Sequence, residues 1–402
     1  MKPNIWKNFN QVATFKTAFQ KDGRNLQEDD LDLIDDGSVV FDGKILWVGK
    51  SDEIPSQYKD GKIRDCQGMV LLPELVDSHT HLVFGGDRSE EYALRLNGGD
   101  YQKIAQSGGG ILATARSTNR LTYKEMFDIC VSRIERINSY GIGTIEIKSG
   151  YGLNIKKEEE LSCLIYDLKK HFAPKVNIFN TFMAAHAVPE EFTSSADYMK
   201  KVISLLADLH KKRVVDCVDI FHEKGYFSRE DVENLFSKAQ KMGIPRKIHA
   251  DEFYDNGGAL LACKYNALSA DHLLATGESG IKTLANSQTV ATLLPGTGLF
   301  LGKKPANARK LLNAGCRVAI GSDYNPGSCH CDNLLLLASV AAPMYGLNMA
   351  QLWAAITLNA AAALGLKKQG ALIPGMDARF SLFKTDSLAQ ITYNWGINFS
   401  CD

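Results

Sequence analysis

Neither sign of charge prevails in this sequence: 46 lysines and arginines meet 46 aspartates and glutamates over 402 residues. A chain so balanced lacks the basic footprint of a nucleic-acid or anionic-membrane binder, so neither partner is expected. Long apolar runs are missing as well. The longest, LLLLASVAAPMYG from Leu334, is too short and too interrupted by proline to span a bilayer. No apolar stretch follows the early lysines of MKPNIWKNFNQ, where a signal peptide would need one. The nine cysteines are odd in number and follow no framework spacing, which predicts reduced thiols in a cytoplasmic protein. Histidine is scarce, also nine residues, and that scarcity makes its placement informative.

What is present is a change of texture along the chain. Residues 1–70 read as short strands and turns (QVATF, GSVVFDGKILWVG, GMVLLP), broken by Asp-Gly pairs at hairpin positions. The end of the chain, 366–402, reads alike, with RFSLFK and QITYNW as strands after the turn IPGMD. Residues 71–365 instead alternate short apolar runs with longer helical patterns, which predicts βα units on a parallel sheet. The runs are MVLLPELVDSH, GIGTIEIK, VNIFNTFMAAH, VVDCVDIFHE, RKIHADE, ALSADHL, TVATLLP and RVAIGSD. Eight strands separated by helices is the count of a (β/α)8 TIM-like barrel, an α/β fold whose active-site face lies at the strand C-termini.

In VDSHTHLVFGGDR, His79 and His81 are alternate residues, and on a strand both would face the same side. Taken alone, His-x-His reads as well as two polar residues on a half-exposed strand. The other runs decide. They end in Lys148, His186, His222/Glu223, His249, His272 and Asp323, and only TVATLLPG ends without a titratable group. Six of the nine histidines are thus expected on one rim, whereas independent structural histidines should fall on helices or loops, as His171, His210 and His330 do. Convergent imidazoles on that face predict a metal site.

HTH after the first run, single histidines in KIHADEF and SADHL, and the aspartate of IGSDYNPGS resemble the amidohydrolase superfamily. More narrowly, DSHTHLVFGGDRSEEY, SGGGILATARST, EIKSGYGL, AAHAVP, LLPG and GSDYNPGS resemble the imidazolonepropionase family, from about Leu72 to Gly365. The resemblance implies a small β-sandwich built from 1–70 and 366–402 beside the barrel. It implies hydrolytic opening of the cyclic amide of 4-imidazolone-5-propanoate to N-formimidoyl-L-glutamate, a step of histidine degradation. It implies His79, His81, His249 and Asp323 as ligands of one zinc or iron ion per subunit, with a position left for water. No lysine ends the fourth run to bridge a second ion. Glu252, His272 and Asp323 are the implied proton carriers. Arg88, Tyr151, His186, Glu252, Asn325, Gly327 and Ser328 are implied to hold the small-molecule substrate or product, and a homodimer is a candidate assembly.

Each role has a plainer alternative. Glu252 suits a helix N-terminus, His272 a core position, and Arg88 an ion pair with Glu90 or Glu91. Lys148 is expected in a salt bridge to Glu146 or Glu223. Ser107–Gly110 reads as a flexible active-site loop rather than a phosphate cradle, since no GK[ST] follows. Cys329-His330-Cys331 cannot close a tetrahedral site alone and reads as incidental. Glu74 replaces the glycine of the usual PGLVD and would be strained if that position needs a positive φ. Another cyclic amidohydrolase or a deaminase would share the ligands, but a deaminase has no reason for a carboxylate-binding Arg88. A metal-binding sensor would need neither Glu252 nor an open water position.

Overall fold

The computed structural model describes residues 2–98 and 109–401. Strands β1 (Asn4–Ala13), β2 (Leu33–Asp42), β3 (Lys44–Lys50), β4 (Lys62–Asp65) and β5 (Val70–Pro73) join β14 (Phe380–Phe383) and β15 (Ser400–Cys401) in one seven-stranded sheet from both chain ends. The expected Asp-Gly hairpin is present, with Gly43 at φ 65° between β2 and β3. A bulge in β1 between Trp6 and Phe9 divides the strand. Its first half pairs with β4 and its second with β5, so the sheet folds over a core of Phe9, Val12, Val39, Leu71 and Leu382.

The second sheet holds eight parallel strands: β6 (Leu75–Asp77), β7 (Ile142–Lys148), β8 (Asn177–Ala185), β9 (Cys217–His222), β10 (Lys247–Ala250), β11 (Ser269–His272), β12 (Val290–Leu293) and β13 (Val318–Ile320), in sequence order. Four of the intervening helices start on Thr122, Asn154, Ser194 and Ser228, each of which accepts the amide three residues on. The ring closes between its first and last strands. Thr80 bridges Tyr324, the His81 amide donates to the Tyr324 carbonyl at 3.0 Å, and the Asp323 amide donates to the His79 carbonyl at 2.9 Å. Three of the expected ligands therefore share the closing seam.

Three details differ from expectation. QITYNW is not a strand: Leu388–Tyr393 is helical, because Leu388 and Ile391 bury at helical spacing while Tyr393 faces out. MVLLPELVDSH is not one strand either. It breaks at Glu74 into β5 of the terminal sheet and β6 of the barrel, so His79 and His81 lie just past a strand end. Glu74 is free of positive-φ strain. Its buried carboxylate accepts Thr144 Oγ1 at 2.6 Å and Arg379 Nε at 2.8 Å, and occupies the space a Cβ at Gly143 would need. It pins the terminal sheet to the barrel. Among the described residues, no helix is long and apolar enough to cross a membrane.

Candidate metal centre and substrate pocket

Parallel barrel strands covered by helices are normally apolar on both faces. Here alternate residues are polar. Thr144, Glu146 and Lys148 on β7, Asp219 on β9, Lys247 and His249 on β10, and Asp271 on β11 are all buried inside the barrel, while Ile145, Ile147, Val218, Ile220 and Ile248 pack outward on the core. Lys148 Nζ lies 2.7 Å from Glu146 and 2.8 Å from Asp219; Lys247 Nζ lies 3.1 Å from Glu146 and 3.5 Å from Asp271. Lys148 thus pairs with Glu146 as expected and with Asp219, which the sequence reading missed, but not with Glu223. Glu223 instead accepts the Phe253 amide at 2.8 Å.

Two of these carboxylates orient histidines. Asp271 Oδ2 is 2.7 Å from His79 Nδ1, and Asp219 Oδ1 is 3.2 Å from His249 Nδ1. A carboxylate only accepts, so each Nδ1 carries the proton and each Nε2 presents a lone pair. Those two lone pairs converge on the third ring: His81 Nε2 lies 3.3 Å from His79 Nε2 and 3.1 Å from His249 Nε2, and Asp323 Oδ1 lies 3.4 Å from His79 Nε2. Nitrogens sharing a tetrahedral zinc stand about 3.3 Å apart, so the donor set fits a metal ion. His79, His81 and His249 are the one group of three or more metal-capable side chains among the described residues. Cys329-His330-Cys331 does not converge: His330 packs on Phe84 and Tyr324, and Cys331 turns to the Asn333 carbonyl.

Neutralising Asp271 tests this second layer. Asp271→Asn keeps the shape but removes the charge on His79 Nδ1, and metal affinity should fall about 10–100-fold in a chelator competition. Unchanged affinity would show that the carboxylate does not order the ligand.

A cavity of about 280 Å³ opens above this cluster. His81, Arg88, Tyr151, His186, His249, Glu252, His272, Asp323, Asn325, Gly327 and Ser328 all line it, and His79 lies fully buried beneath. His222 is the exception on the rim. It falls on the outward face of β9, and its Nδ1 donates to the Phe227 carbonyl at 2.9 Å, so five histidines converge rather than six. Phe221 and Tyr226 line the pocket without having been foreseen. Ser107 and Gly108 of the expected loop lie outside the described residues; Gly109 and Gly110 form part of the wall. A larger cavity of about 460 Å³ sits at the opposite barrel end, near Thr289 and Arg317 at the starts of β12 and β13, far from this cluster. Chemistry, not volume, locates the site.

Strained backbone aims several side chains. His272 (φ 79°) and Asp323 (φ 51°) occupy the left-handed region, which costs non-glycine residues about 1–3 kcal/mol each. Asp323 offers Oδ1 to the histidines while Thr297 donates to its Oδ2. Glu252 is not a helix cap. Asp251 takes that role, accepting the Gly258 and Ala259 amides at 2.8 and 3.2 Å. With Glu223 holding the Phe253 amide, the segment is pinned on both sides and Glu252 is left 3.7 Å from His272 Nε2. Asn325 turns onto its own loop, its Oδ1 accepting the Gly327 and Ser328 amides at 2.8 Å.

Burial governs protonation. It holds His79, His81 and His272 well below the usual imidazole range and His186 down to about 3, so these rings are neutral at pH 7. Burial pushes Asp323 up to about 6. Burial, then the neighbouring Asp323 charge, pushes Glu252 well above the usual carboxylate range. A raised carboxyl beside these neutral rings is a group able to take up and return a proton.

The profile of the amidohydrolase family matches residues 70–397. An imidazolonepropionase from Paracoccus denitrificans is 39% identical over 371 residues, covering 91% of this chain and 92% of that one. One from Bacillus velezensis is 38% identical over 398 residues, covering 98% and 93%. Among solved structures, an adenosine deaminase from Xanthomonas campestris with bound zinc superposes with a TM-score of 0.73 at 14% identity, covering 99% of this chain and 90% of that one. The atrazine chlorohydrolase of Arthrobacter aurescens, complexed with zinc, gives 0.71 at 16%, covering 99% and 92%. These two likenesses show the fold alone. Family profile and relatives together establish that the chain belongs to the amidohydrolase family, among the imidazolonepropionases.

Proposed function

We propose that the protein hydrolyses the ring amide of 4-imidazolone-5-propanoate to N-formimidoyl-L-glutamate, with His79, His81, His249 and Asp323 holding a single zinc or iron ion. The observation that carries this reading is the meeting of three converging imidazoles, Asp323 and Glu252 on the floor of a pocket walled by Arg88. A bound divalent ion there would lower the pKa of a water toward about 7 and polarise the ring carbonyl. Glu252 takes the proton from the attacking water. The water oxygen bonds to the ring carbonyl carbon, the carbon–nitrogen bond breaks, and the departing nitrogen receives a proton from Glu252 or Asp323. His272, neutral and beside Glu252, hydrogen-bonds the carbonyl oxygen. Tyr151 and His186 flank the ring, Arg88 faces the propanoate, and Asn325, Gly327 and Ser328 receive the opened product. The barrel unit (71–365) carries all of these residues, with 1–70 and 366–402 forming the accessory unit.

One ion per chain is proposed because β9 supplies no bridging lysine and Lys148 is held by Glu146, Asp219 and, at 3.9 Å, Asp271. The arginine discriminates this reaction from deamination on the same barrel. Arg88→Met should raise KM for the propanoate substrate about 10–100-fold with little change in kcat, as a charged hydrogen bond of roughly 1.5–3 kcal/mol is lost. Steady-state kinetics decide; an unchanged KM would leave Arg88 a structural ion-pair residue.

A further inference from the structure

Arg88 is not held by chance. Its Nε and Nη2 both meet Glu91 Oε2 at 2.8 Å, and the other Glu91 oxygen accepts the Gly110 amide at 3.0 Å. One carboxylate therefore joins the pocket's arginine to the first residue of the Gly110–Arg120 helix, whose Gly110, Ile111 and Leu112 also line the pocket. The Nη1 end of the guanidinium also lies against Gly327. A Cβ there would fall 2.0 Å from Nη1 and 2.8 Å from Cζ, a space only glycine leaves open.

We propose that Glu91 is a positioning residue for substrate specificity, and that it and Gly327 clamp the Arg88 guanidinium so that its Nη1–Nη2 end faces a carboxylate in the pocket. Two donors on the side edge of the guanidinium are fixed by Glu91, which orients the end edge for bidentate recognition. The tie to Gly110 sets the distance between the arginine and the helix wall, and so the length of tail that fits. The inference rests on the reading of Arg88 as partner of the substrate's carboxylate.

Steady-state kinetics of Glu91→Gln, Gly327→Ala and Arg88→Met on 4-imidazolone-5-propanoate test it. The inhibition constant of 5-methyl-4-imidazolone, which has the ring but no carboxylate, serves as control. Glu91→Gln should raise KM for the tailed substrate about tenfold, leave kcat within about threefold, and leave the inhibition constant unchanged. Gly327 does not need a positive φ, so Gly327→Ala folds and should raise the same KM by displacing the guanidinium. A purely structural role for Glu91 would weaken the tailed and tail-less molecules alike, which overturns the inference. If Arg88→Met raises KM but neither Glu91→Gln nor Gly327→Ala does, the clamp is wrong while the role of Arg88 stands. If Arg88→Met has no effect selective for the tail, both fail. Should Glu91→Gln melt early, Glu91→Asp keeps the charge but is one methylene too short to reach both Arg88 and Gly110. It should show the same tail-selective rise in KM, and a normal KM in that variant would contradict the clamp.

Discussion

Glu252→Gln is expected to lower kcat by about 10²–10⁴-fold while the metal stays bound. Glutamine keeps the size and still hydrogen-bonds, but it takes no proton near neutrality. The carboxyl lines the pocket 3.7 Å from His272 Nε2 and makes no contact with the helix N-terminus that Asp251 caps. Its loss therefore leaves the fold and the three imidazoles alone. The sign of the pH effect follows from its raised pKa: Glu252 must be ionised to act, so activity in the parent falls as pH drops through that value. This acidic limb should vanish from the residual activity of Glu252→Gln. Metal content and single-turnover rate on the same sample separate the outcomes. A variant that lost its metal would make Glu252 a ligand, and one that kept full rate would pass the proton to Asp323 or His272.

His249→Ala should behave differently, losing metal and activity together. Its Nε2 stands 3.1 Å from that of His81, and its Nδ1 is aimed by Asp219, which Lys148 holds in turn. Removing the imidazole deletes one of the converging lone pairs and leaves the carboxylate below with nothing to orient. His222→Ala is the control, since His222 faces outward from β9 and meets the Phe227 carbonyl. It should keep the full metal content. Elemental analysis of both variants after dialysis settles the pair; a metal-replete His249→Ala would break the proposed ligand set.

The rim of the barrel was legible because histidine is rare and all but one of the apolar runs ended in a titratable residue. His79, His81, His186, His249 and His272 duly line or underlie one pocket. The layer beneath was missed by attending to strand ends. Its signal was alternation inside the runs: TIEIK, CVD and KIH place polar residues at every second position of strands that helices cover. The same alternation would have turned His222 outward, since Asp219 and Phe221 take the inward face. The C-terminal segment misled for a different reason. QITYNW has β-branched and aromatic residues, but the i, i+3 burial of Leu388 and Ile391 overrides propensity. Glu74 could not be read from sequence because its partners, Thr144 and Arg379, are 70 and 305 residues away.

The most direct test is turnover by a single preparation, divided in two. One half is stripped with chelator and the other reloaded with one equivalent of zinc or ferrous iron, and both are given 4-imidazolone-5-propanoate. Loss of the imidazolone chromophore and formation of N-formimidoyl-L-glutamate, mole for mole, are expected in the reloaded half alone. Equal turnover in both halves, or none in a half shown to carry its metal, would contradict the account.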